Sequence, residues 1–229
     1  KVGLITGSPQ APVHKVLVAL DPTQAVIDEA CQWGADMVIT HHPLLLRGAS
    51  FLSEESAKGR AIAALNRSRI ALFNAHTNGD VAIDGVAQAC ADAIGLKETE
   101  VFVPEGTNDR GQTIGLGRIG TISPMSLRQF ARLVAKALPA GPTGLLVGGD
   151  LEATVHRVAV SPGAGDSLLD QVLASGVDVF ITADLRHHPA SEFLEEGQCG
   201  LICASHWATE TLWMPVLARK LREEARRSA

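Results

Sequence analysis

Gly34-Ala35-Asp36-Met37-Val38-Ile39-Thr40-His41-His42-Pro43 is echoed later in the chain by Gly176-Val177-Asp178-Val179-Phe180-Ile181-Thr182, with His187-His188-Pro189 shortly behind. An ungapped shift of 142 residues, Gly34 to Gly176, also carries Val16, Val18, Asp28, Asp36, Ile39 and Thr40 onto Val158, Val160, Asp170, Asp178, Ile181 and Thr182. Each half then reaches an apolar run that ends in a histidine with an acid four residues on. These are Ile70-Ala71-Leu72-Phe73-Asn74-Ala75-His76 with Asp80, and Leu201-Ile202-Cys203-Ala204-Ser205-His206 with Glu210. The repeated unit reads as strand, helix, strand, polar cluster, helix, strand, His-xxx-acid. It is too long for a solenoid repeat, so the pattern points to duplication of one α/β unit.

The expected fold is therefore α/β, with two similar lobes of mixed sheet flanked by helices. Residues 1–100 are assigned to the first lobe and 101–229 to the second, with 201–229 a segment able to pack on the first. The apolar run Val16–Leu20 predicts a strand covered on both faces. Thr23 caps a helix over Gln24–Trp33 that Gly34 stops, and Met37–Thr40 completes a parallel βαβ unit. A helix over Ala57–Arg67, a strand over Ile70–Asn74 and a helix over Asp80–Ile94 follow. Glu100–Gly111, with Pro104, Gly106, Asn108 and Asp109, reads as a flexible link. Beyond it the pattern gives a strand over Thr113–Ile122, a helix over Ser126–Leu138 and a glycine-rich loop over Pro139–Gly149. The second repeat begins near Val155, and a last helix spans Thr209–Arg226. Lys1-Val2-Gly3-Leu4-Ile5 already reads as strand, so the chain is expected to begin inside a domain.

Composition excludes several classes of function. Net charge is −5, with 20 basic and 25 acidic residues intermixed, which argues against a nucleic-acid surface. No apolar stretch approaches the roughly 20 residues that span a bilayer, and the first residues do not resemble a secretory signal, so a cytoplasmic protein is expected. Cys31, Cys90, Cys199 and Cys203 fall within apolar patterns and read as buried free thiols. Gly115-Leu116-Gly117-Arg118-Ile119-Gly120 matches a dinucleotide-binding string, but Thr121-Ile122-Ser123-Pro124 follows where a helix would have to start.

The histidines carry the chemistry. Neighbours on a regular strand point to opposite faces, so His41 and His42 converge only if the backbone leaves the strand, which Pro43 enforces. His206 and Glu210 share one helical face, as do His76 and Asp80. Clusters of this kind at strand C-terminal ends, where open α/β sheets place ligands, point to metal.

The motifs resemble the NIF-three-like family, also known as GTP cyclohydrolase I type 2. The resemblance covers essentially the whole chain. It rests on Val16–Asp21, Gly34–Leu44, His76-Thr77-Asn78-Gly79-Asp80, Gly117-Arg118-Ile119-Gly120, Thr182–His188 and His206–Glu210. Ser205 stands where the family usually has glycine, and no room exists between Gly120 and Val155 for the extra domain that some members insert. The resemblance implies a two-metal site in a cleft between the lobes, with His41, His42, Asp80, His206 and Glu210 as ligands. It also implies a homohexamer built as a trimer of dimers.

Three imidazoles and two carboxylates suit zinc, iron, manganese or nickel. Two divalent ions with two carboxylates leave a net positive site that favours an anionic or carbonyl-bearing small-molecule substrate. The expected activity is metal-assisted hydrolysis of a nucleotide, heterocyclic or phosphorylated small molecule, with Asp80 and Glu210 bridging the ions. His76, Asp184 and His188 are candidates for proton transfer or for orienting the ligands. The competing reading is a non-catalytic hexameric scaffold that binds metal or docks a protein.

Overall fold

The computed structural model describes residues 2–227. Its strands are β1 (Gly3–Thr6), β2 (Val16–Ala19), β3 (Met37–Thr40), β4 (Ala71–Asn74), β5 (Lys97–Thr107), β6 (Thr113–Ser126), β7 (Leu146–Gly148), β8 (Thr154–Ala164), β9 (Val179–Ala183) and β10 (Gly200–Ala204). Its helices are α1 (Gln24–Trp33), α2 (Ala57–Arg67), α3 (Thr77–Asp80), α4 (Val86–Ala93), α5 (Leu127–Ala137), α6 (Leu169–Ser175), α7 (His187–Glu196), α8 (His206–Glu210) and α9 (Trp213–Arg227). The chain divides into two compact units. The first runs to Gly79 and takes in the chain from Leu217, and the second is Asp80–Val216. Among the described residues no helix is long and apolar enough to cross a membrane.

In the first unit a four-stranded sheet has the order β1-β4-β3-β2, with β2, β3 and β4 parallel and β1 antiparallel at the edge. Thr23 accepts from the Val26 amide to start α1, and Gly34, at φ 67°, ends it in the left-handed conformation that glycine adopts without penalty. Ile27 and Ala30 of α1 and Ala61 and Leu65 of α2 pack with Val38 and Leu72 of the sheet to form this unit's core.

The second unit holds a six-stranded sheet of order β5-β6-β8-β9-β10-β7, in which β8, β9 and β10 are parallel and the other pairings antiparallel. Its central strands β9 and β10 are covered on both faces, and strand alternation decides which side chain goes where. Val179 and Ile181 of β9 join Cys90, Phe130, Val134 and Ala208 on one face, whereas Phe180 between them joins Leu169, Val172 and Phe193 on the other. Each fully buried valine, isoleucine or phenylalanine among these contributes about 1.5–3 kcal/mol.

The two units repeat the same local device. Asp36 Oδ2 accepts from the amides of His14 and Lys15 at 2.7 and 2.8 Å, and Asp178 Oδ2 from those of His156 and Arg157 at 2.8 and 2.7 Å. These pairs are related by the same shift that relates Gly34 to Gly176, which is likewise left-handed at φ 66°. The two amide bonds hold the Asp36 carboxyl below the usual carboxylate range.

Four local expectations are corrected by the structure. The helix expected over Asp80–Ile94 is interrupted between α3 and α4, because the buried Arg118 side chain captures the carbonyls of Ala82 and Ile83 at 2.7 and 3.0 Å. Glu100–Gly111 is no link but belongs largely to β5, an edge strand, where Pro104 is tolerated because one side of the strand needs no amide donor. Leu146–Gly148, expected as loop, is β7, paired with β10. The last helix is divided into α8 and α9, since Pro215 in a continuous helix would clash with the carbonyl of Thr211 and is accommodated instead in the first turn of α9.

The dinucleotide-like string lies within β6, and its arginine has a structural task. Arg118 is buried and also donates to Gln88 Oε1 and to the carbonyls of Gly115 and Gly117. Arg118→Leu leaves these acceptors buried without a donor and is expected to cost about 3–5 kcal/mol in chemical denaturation. A loss below 1 kcal/mol by that measure would contradict this role. The four cysteines are free, and burial pushes the Cys90 and Cys199 thiols up to about 12, so neither is a nucleophile or thiolate ligand at neutral pH.

Candidate metal centre

β3 ends at Thr40, and the chain turns out of the strand at His41 and His42. The departure is fixed by hydrogen bonds. Thr40 Oγ1 donates to the His42 carbonyl at 2.8 Å, while Asn74 Nδ2 donates to that carbonyl at 2.7 Å and to Thr40 Oγ1 at 3.0 Å. The adjacent imidazoles therefore converge, with ring centroids 5.0 Å apart. His76, just beyond β4, brings a third ring 5.1 Å from His41 and 5.8 Å from His42. One ring nitrogen from each of the three lies within 4.8 Å of the others, a grouping able to hold a metal ion. Asp80 is half-buried at the end of α3, the short helix that begins directly after His76.

The ring protons are assigned by the partners. His41 is fully buried, and its Nδ1 lies 2.9 Å from the Ala75 carbonyl, an obligate acceptor, so Nδ1 carries the proton and Nε2 the lone pair. His42 Nδ1 lies 2.7 Å from Asp21 Oδ1, with the same consequence. Sequence reasoning missed Asp21. The signal available was an acid closely following an apolar run that reads as a strand, at the end where the histidines also gather.

In the second unit Ser205 caps α8 by accepting from the Ala208 amide. His206 opens α8, and its Nδ1 is 2.7 Å from Asp184 Oδ2. Its Nε2 is 3.0 Å from Oε2 of Glu210, which is 4% exposed. Two donors about 2.0–2.2 Å from one tetrahedral ion stand roughly 3.3 Å apart, so this pair already has the spacing of co-ligands. Asp184 adopts φ 53°, a left-handed conformation that costs aspartate less than most residues and that aims its carboxylate. His188 is exposed in the first turn of α7, its ring against that of His187 at 5.3 Å.

Gly163 is the other residue that sequence reasoning missed. It lies in β8 at φ 71°, and a Cβ there would come within 2.4 Å of Glu210 Oε1 and 3.3 Å of His206 Nε2. Its amide donates to Thr209 Oγ1 and its carbonyl accepts from Thr182 Oγ1, both at 3.0 Å. The backbone is thus locked against the carboxylate and imidazole, with room for no side chain.

The Glu210 carboxylate, helped by Asp184 and opposed by partial burial, pushes the His206 imidazolium up to about 9. A raised pKa in the folded state stabilises fully below the ordinary value of 6.5, and that stabilisation is lost as pH rises through about 9. Metal-stripped protein is expected to lose thermal stability across this window. A flat melting profile there would contradict the assignment.

Each of the three histidines expected to bind metal has Nδ1 fixed by an oxygen acceptor, the arrangement that orients ligating imidazoles. Asp21→Asn keeps the shape but weakens the hold on the His42 tautomer. It is expected to lower metal affinity about 10- to 100-fold by isothermal titration, with little change in the metal-free melting temperature. Equal affinity in the variant would remove Asp21 from the centre.

Comparison with known proteins agrees with this architecture. A "GTP cyclohydrolase 1 type 2 homolog" of Streptomyces coelicolor is 46% identical over 97% of this chain and 78% of its own length. A protein of the same description from Mycobacterium tuberculosis is 32% identical over 96% and 85%. The crystal structure of a Bacillus cereus protein related to NIF3 superposes with a TM-score of 0.91 at 26% identity, covering 100% of this chain and 88% of that one. All 229 residues match one family description, and the chain belongs to the Duf34/NIF3 (NGG1p interacting factor 3) family.

Proposed function

We propose that His41, His42, Asp80, His206 and Glu210 together hold divalent cations, and that the protein is a metal-dependent hydrolase of an anionic, nucleotide-like small molecule. The observation that carries this reading is the shared Nδ1 anchoring of His41, His42 and His206, at 2.9, 2.7 and 2.7 Å from oxygen acceptors. Neutral imidazole and carboxylate donors with no thiolate fit zinc, iron, manganese or nickel. Bound cations of this class supply Lewis acidity, polarising a carbonyl or phosphoryl oxygen and acidifying water.

The chain's own groups set the conditions. Asp21 and Asp184 hold imidazole orientation through the Nδ1 protons of His42 and His206. In the metal-free state Glu210 Oε2 faces the His206 Nε2 at 3.0 Å, and this carboxylate is the main reason the imidazole keeps its proton. His76, whose ring neighbours both His41 and His42, is suited to passing a proton through its second nitrogen.

Because relatives carry the name GTP cyclohydrolase 1 type 2 homolog, GTP is the first substrate to test. Protein loaded in turn with zinc, manganese, iron and nickel is expected to release formate from GTP. Absence of turnover with GTP and with pooled nucleotides and phosphoesters, in protein that retains metal, would overturn the hydrolase reading and leave a metal-binding scaffold.

A further inference from the structure

We propose a second ligand site in the second unit, between β7 and α7, that takes a small apolar carboxylate. The cavity measures about 370 Å³, within the roughly 300–1,000 Å³ of small-molecule sites. Val147, Leu185, Ala190, Leu194 and Leu201 give it an apolar lining. Leu201 and Cys203 line it, whereas Ile202 and Ala204 belong to the core on the opposite face of the sheet, which α8 also joins. Strand alternation thus separates the cavity from the face that carries His206 and Glu210.

The polar groups at the cavity set the charge of the occupant. Arg186 and His187 line it, joined by the Ser191 hydroxyl. Arg186 is held in place by Nε donation to Asp166 Oδ2 at 2.7 Å. A guanidinium presents two parallel donors to a carboxylate, and an imidazole and a hydroxyl beside it supply further hydrogen bonds. Asp166 places a negative charge next to the same guanidinium, which disfavours a phosphate dianion and favours a monoanion. The apolar lining then requires a hydrocarbon body. An extended peptide fits less well, because β7, though at the sheet edge, is three residues long and offers only a short ladder.

Phenylbutyrate is the probe, with phenylbutyramide as its neutral match, titrated into the full chain and followed by amide chemical shifts. Phenylbutyrate is expected to shift Ala190 and Ser191 and to bind at least about tenfold more tightly than the amide, the worth of one charge-assisted contact. Arg186→Gln, an exposed change that leaves the fold alone, is expected to abolish that preference. Ala190→Trp is expected to fill the cavity and remove binding of both probes. Chelation with EDTA is expected to change nothing. Equal binding of acid and amide, or binding that survives both variants, overturns the proposal. So does binding that vanishes with the metal, which would place the carboxylate on the ions.

Discussion

Glu210→Gln is expected to lower divalent-metal affinity by at least about 100-fold, since substitutions that only reorient a ligand already cost 10- to 100-fold. The change is nearly isosteric and removes one formal charge from a position that is 4% exposed. Its Oε2 lies 3.0 Å from His206 Nε2, so the partner loses the group that raises its pKa most. Two readouts follow. Isothermal titration with zinc is expected to show the affinity loss, and the metal-free variant is expected to lose most of the stability change between pH 6.5 and about 9 that is expected of the parent, Asp184 alone remaining to raise the His206 pKa. Undiminished zinc binding would exclude Glu210 from the centre. Loss of binding with an unchanged pH profile would mean that Glu210 acts on the metal without being the group that keeps His206 protonated.

Gly163→Ala is expected to be as damaging although it removes no donor. A methyl group at this position lies 2.4 Å from Glu210 Oε1, well inside van der Waals contact, and φ of 71° is a left-handed conformation. Backbone strain alone costs about 1–3 kcal/mol. The carboxylate must also move, which separates it from His206 Nε2. The expected result is a melting temperature lowered in metal-free protein and zinc affinity lowered by about two orders of magnitude, as for a displaced ligand. Gly144 provides the control, being left-handed at φ 59° with open space around its would-be Cβ. Gly144→Ala is expected to cost comparable strain and leave zinc affinity intact. Equal metal binding by the two variants would show that steric exclusion at Gly163 is unimportant.

Much of this was legible in the sequence where period and punctuation act locally. Thr23 and Gly34 bound α1, Ser126 caps α5, and the apolar runs Met37–Thr40 and Val179–Thr182 give parallel strands of matching register. The histidines stood out because they recur at strand ends. What was hidden depended on partners distant in sequence. The break between α3 and α4 is dictated by Arg118, 36 residues beyond Ala82, and β7 exists only through pairing with β10. Pro104 suggested a link because its tolerance depends on β5 being at an edge, a property of the sheet and not of the segment. Asp21 and Gly163 were overlooked for a related reason. One acts by bonding to a ring 21 residues away, the other by leaving empty the space that Glu210 occupies.

Anomalous diffraction from crystals of metal-loaded protein, collected at the edge of the ion supplied, tests the proposed centre most directly. The expected map places ions with His41, His42, Asp80, His206 and Glu210 as donors at about 2.0–2.2 Å, ligated through Nε2 at each histidine. Ions found elsewhere, or bound by histidines of one unit without Glu210, would contradict it.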